Sequence, residues 1–84
     1  MTRDEVMVRL CNILTQDLNV PAEAIHEDAH FRAHLRLDSL SLVDLIFLIQ
    51  KDFGFKASME EFRSTRTVGA VADLVVAKLG TGLR

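Results

Sequence analysis

The apolar run from Leu40 to Ile49, interrupted only by Ser41 and Asp44, constrains the fold more than any other stretch of this chain. Strict alternation is missing, so a half-buried strand does not fit it. Leu42, Leu45, Ile46, Ile49 and Phe53 instead fall on one stripe of a helix and are expected to face a core. The run is well short of a membrane span. Asp38 stands where an N-cap belongs and Gly54 where a helix stops, which predicts a helix over about Ser39 to Asp52.

The flanking segments carry the same kind of punctuation. Thr2 with Glu5 reads as a capping box, followed by Val6, Leu10, Ile13, Leu14 and Leu18 at helical spacing. This predicts a first helix from about Arg3 to Leu18, ended by Asn19-Val20-Pro21. Ser58 and Glu61 form a second capping box, opening a short third helix through Phe62. Thr67 is expected to cap a last helix with Val68, Val71, Leu74, Val75 and Leu79 as core contacts and Gly80 as its end. Residues 21–37 read as a long loop with at most a turn of helix, pinned by Ile25, Phe31 and Leu35. Connections of this length are often functional. The expected architecture is all-α: a small bundle of three main helices plus a short third one, in a single domain over residues 1–84.

A chain of 84 residues has little room for a deep enzyme cleft. Its formal net charge is −2, from ten basic and twelve acidic residues, and no basic stripe suggests nucleic acid. The lone cysteine, Cys11, excludes an intrachain disulfide and is expected to be a small packing residue on the first helix. The N-terminus turns acidic at once, without a signal peptide, so a cytosolic location and a monomeric state are expected.

The outer face of the second helix carries Leu40, Val43, Asp44, Phe47 and Lys51. Three of these are apolar, so the helix is hydrophobic nearly all round. Such a face is either a partner surface or lies under the long connection. At its start, a phosphate ester on Ser39 would meet unpaired backbone N–H groups and the positive end of the helix dipole.

Other chemistry is thinly supported. His26, His30 and His34 recur every four residues, a spacing that on a helix would align three imidazoles as in a metal site. The segment is irregular and offers no clear fourth ligand, so no metal is expected. A hydrolase built on Ser39 and His34 lacks the strand-turn-helix context of a nucleophile elbow. No catalytic residue is assigned and the chain is not expected to be an enzyme.

Together, Asp38-Ser39-Leu40, the apolar run after it, Phe53, the capped helix at Ser58 and Thr67-Val68 resemble the acyl carrier protein family, which includes peptidyl carrier domains. The resemblance extends from about Val8 to Leu79. It implies that Ser39 is esterified with phosphopantetheine taken from coenzyme A by a phosphopantetheinyl transferase. The thiol of that arm would hold acyl groups as thioesters. Asp38 and Leu40 would flank the attachment serine and assist its recognition. The outer face of the second helix would be read by acyl-loading, synthase or acyltransferase enzymes of a fatty-acid, polyketide or specialised lipid pathway. An aminoacyl carrier of a peptide pathway, or an unmodified helical interaction module, would present the same surface.

Three departures from the family pattern stand out. Arg36 occupies a position where the family usually has glycine, so either no positive φ is needed there or the turn differs. The second helix mixes Ser41, Gln50 and Lys51 with Asp44 and Asp52, where fatty-acid carriers are strongly acidic. This favours a specialised carrier over a housekeeping one. Ala57 and Phe62, near the expected acyl-chain cavity, also differ in size from the common pattern.

Overall fold

A computed structural model describes residues 2–82 of the chain. The two predicted capping boxes both form. Thr2 and Glu5 exchange bonds at the start of α1, Arg3–Asn12, where the Thr2 N–H donates to Glu5 Oε1 at 2.9 Å. Ser58 and Glu61 do the same at the start of α3, Met59–Arg63. Between them lies α2, Ser39–Phe53, with Asp38 as its N-cap and Gly54 in the left-handed conformation at its end. The last helix, α4, spans Val68–Gly82.

The first helical segment reaches Asp17, but not as one regular helix: after Asn12 it widens into a π-turn, Ile13–Asp17. The Thr15 hydroxyl donates to the Cys11 carbonyl at 2.8 Å, competing for the acceptor that a regular helix would reserve for a backbone N–H. Cys11 itself is half-buried. Asn19 then takes a positive φ of 57°, which asparagine tolerates better than most residues. The other departure is at Gly80. It does not end α4, which continues to Gly82. Gly80 is helical and faces open space, so no tertiary contact demands a stop there.

Val6, Leu10, Ile13, Leu14, Leu45, Ile49, Phe53, Phe62, Val68, Val71 and Val75 share one core. Leu42, Ile46, Leu74 and Leu79 are half-buried against it, at the edges of their stripes. α1 packs on α4. Arg3 ties the start of α1 to the connection and to α4 through Glu27 at 2.7 Å and Asp73 at 2.8 Å.

The long connection contains one 3-10 turn, Ala22–Ala24. Phe31, Leu35 and also Leu37 are buried, whereas Ile25 is only half-buried. Its order comes from backbone pairing with the start of α4. The Phe31 N–H donates to the Arg66 carbonyl, the Val68 N–H to that of Ala29, and the Gly69 N–H to that of Glu27, at 3.0, 3.1 and 2.9 Å. An isolated antiparallel bridge joins His30 and Thr67, and the described residues form no strand.

Candidate functional site

The N-termini of α4 and α2 differ in a way that singles out Ser39. A helix begins with four backbone N–H groups that lack intrahelical partners. In α4 the N–H groups of the first three helical residues are satisfied, Val68 and Gly69 by the connection and Ala70 by the Thr67 hydroxyl at 3.2 Å, before Val71 makes the first intrahelical bond to the Thr67 carbonyl. In α2 only the third of these is, before the intrahelical bonds begin. The Ser41 N–H donates to Asp38 Oδ1 at 2.8 Å and the Leu42 N–H to the Asp38 carbonyl at 3.0 Å. The N–H groups of Ser39 and Leu40 have no partner among the described residues.

Ser39 occupies the first helical position and is exposed, and its hydroxyl makes no hydrogen bond among the described residues. The bond from the Ser41 backbone N–H holds the neighbouring Asp38 carboxyl below the usual carboxylate range. Two residues earlier, Arg36 has φ 56°. The left-handed backbone is thus required on the approach to Ser39, and arginine adopts it there in place of glycine.

The outer face of α2 is uncovered. Leu40 is 78% exposed, Phe47 72% and Val43 40%, with Asp44 exposed among them and Lys51 one turn beyond Phe47. The connection does not fold over this face.

Beside Ser39 opens a cleft of about 620 Å³, which Val43 of the outer face also lines. Its floor is apolar, built from Phe31, Leu42, Leu45, Ile46, Ile49, Phe62 and Val71. The connection and the segment after α3, joined by the bond from Phe31 to Arg66, line it together with α3, and Ser39 is among the lining residues. Phe62 is therefore a lining residue, whereas Ala57 is not. Arg32, Arg63 and Arg66 also line the cleft. Sequence reasoning did not gather these three, because Arg32 meets the other two only through the pairing of Phe31 with Arg66.

The histidines are turn-formers. His34 Nδ1 accepts the His30 N–H at 2.7 Å, and His30 Nδ1 accepts the N–H groups of Arg32 and Ala33 at 3.2 and 3.3 Å. Among the described residues no group of three metal-ligating side chains is gathered, and no histidine hydrogen-bonds to Ser39.

Comparison with known proteins agrees with this geometry. The family model described as a phosphopantetheine attachment site matches residues 8–75. The acyl carrier protein of Saccharopolyspora erythraea is 36% identical over 84 residues, covering 96% of this chain and 88% of its own length. That of Coprothermobacter proteolyticus is 36% identical over 81 residues, covering 96% and 99%. Among solved structures, the acyl carrier protein of Thermotoga maritima superposes with a TM-score of 0.83 at 24% identity, covering 94% of this chain and 92% of its own. That of Enterococcus faecalis gives 0.76 at 27% identity, covering 93% and 99%. The family model over most of the chain and the relatives at 36% identity, on a four-helix frame that the solved carriers share, make this chain a member of the acyl carrier protein family, with phosphopantetheine as its prosthetic group.

Proposed function

We propose that Ser39 is the attachment residue, and that residues 1–84 act as one carrier domain presenting acyl groups to partner enzymes. The observation that carries this reading is the exposed, unengaged Ser39 hydroxyl beside the open N–H groups of Ser39 and Leu40. A phosphate ester there receives two backbone donors and the positive end of α2. Asp38 is bound to Ser41, which leaves the two preceding donors free. When bound, phosphopantetheine supplies a terminal thiol that holds the acyl group as a thioester.

Everything else is recognition. Among the described residues no base is hydrogen-bonded to the Ser39 hydroxyl, and the transferase is the partner that activates that oxygen. Leu40, Val43 and Phe47, with Asp44 and Lys51, form the docking face for the transferase and for acyl-loading, synthase or acyltransferase enzymes. The mixed charge of this face favours a specialised polyketide, modified-lipid or peptide pathway. The carrier works as a monomer in the cytosol. No helix among the described residues is long and apolar enough to cross a membrane.

Incubation with coenzyme A and a promiscuous phosphopantetheinyl transferase, followed by intact mass, tests the assignment. Wild-type protein gains one phosphopantetheine and Ser39→Ala gains none. Equal gain by the variant would move the attachment elsewhere, and no gain by either would leave an unmodified interaction module.

A further inference from the structure

The charge of the cleft beside Ser39 is one-sided. The chain as a whole is slightly acidic, yet among the described residues no aspartate or glutamate lines the cleft, while Arg32, Arg63 and Arg66 do. The ion pairs among the described residues lie elsewhere: Arg3 with Glu27 and Asp73, Arg9 with Asp52, and Lys78 with Glu61. Arg63 and Arg66 therefore have no carboxylate partner among the described residues, whereas Arg32 lies near enough to Asp38 for their charges to interact. The nearest acid in sequence to Ser39, Asp38, already accepts the Ser41 N–H.

A hydrocarbon chain would be satisfied by the apolar floor alone. Three guanidinium groups over that floor, two of them without a carboxylate partner among the described residues, suit a ligand with both an apolar stretch and an oxyanion, because the planar fork of arginine matches carboxylate and phosphate oxygens. Resting on the attachment of the arm to Ser39, we infer that the arginine rim of the cleft binds an oxyanion delivered by that arm. The anion is either the carboxylate of an acidic acyl cargo or the phosphodiester of the arm itself. The apolar floor takes the chain between.

Four forms of the protein separate these sources: unmodified, carrying the bare arm, carrying a hexanoyl arm and carrying a hexanedioyl arm. Intact mass verifies each loading, so a missing mass counts against attachment at Ser39 and not against the cleft. Nitrogen-15 spectra of the arginine Nε–Hε groups are the first readout. A shift at Arg32, Arg63 or Arg66 with the bare arm assigns the phosphodiester. A shift that appears only with hexanedioyl assigns the carboxylate. In that case hydroxylamine should cleave the hexanedioyl thioester about fivefold more slowly than the hexanoyl one at low salt, the range of a partly exposed ion pair. The gap should close at about 0.5 M sodium chloride, where screening is strong, and in the R63Q/R66Q variant. Arginine signals unmoved in all four forms would overturn the inference. So would signals unmoved by the bare arm that then shift equally with both acyl groups, since the cleft would then be sensing length and not charge.

Discussion

Arg36 bears a local cost on the way into the site. Its φ of 56° brings Cβ close to backbone atoms, which disfavours an L-residue by about 1–2 kcal/mol. Glycine relieves that clash but loses more backbone entropy on folding, by roughly 0.5–1 kcal/mol. Arg36→Gly should therefore raise unfolding free energy by about 0.5–1 kcal/mol, seen as a higher urea midpoint at unchanged slope. A lower midpoint would show that the Arg36 side chain contributes a compensating contact. Asn19, with nearly the same φ, needs no such relief, because asparagine visits this region routinely.

At the scale of elements, the start of α4 is the tightest junction. A Cβ on Gly69 would lie 3.0 Å from the Glu27 carbonyl oxygen and 3.3 Å from Glu27 Cβ. Gly69→Ala must push the connection away from α4 and should cost about 1–3 kcal/mol by thermal or urea unfolding. An unchanged midpoint would mean that the pairing of Gly69 with Glu27 is dispensable. Phe47→Ala on α2 is the contrasting case. Its ring is largely exposed, so stability should stay within about 0.5 kcal/mol while binding to the transferase weakens. Retained affinity would remove Phe47 from the docking face.

These elements were legible in the sequence to different depths. Caps and apolar stripes are local signals, so α2, both capping boxes and Ser39 at a helix start could be read from a few neighbouring residues. The widening at Ile13–Asp17 could not, since no glycine or proline marks it along the chain. Gly80 misled because a glycine inside an exposed helix costs only about 1 kcal/mol, which the rest of α4 outweighs. The cleft was the least visible part. Its lining comes from the connection, α2, α3, the segment after it and α4, and no short window along the chain contains them all.

For the molecule as a whole, acid should be the condition that weakens it. Glu5 is held below the usual carboxylate range by the Thr2 backbone, Asp38 by the Ser41 backbone, and Glu61 by Lys78. Each carboxyl has a lower pKa folded than unfolded, so the stability it contributes is complete above its unfolded value, roughly pH 4. That contribution is lost as pH falls through the lower folded values. The unfolding midpoint should be level from neutrality to about pH 5 and drop below pH 4, with Glu61→Gln flattening part of the drop. A midpoint that rose on acidification would contradict this sign.

The walls of the cleft are not equally firm. One is sewn to α4 through Glu27, Ala29 and Phe31, whereas α3 is five residues long and depends on its capping box, Phe62 and the Glu61–Lys78 pair. In deuterated solvent, the amides of Phe31, Val68 and Gly69 should exchange only by global opening, and those of α3 far sooner. Bulky guests would then enter by displacing α3, a hinged door whose opposite jamb stays fixed.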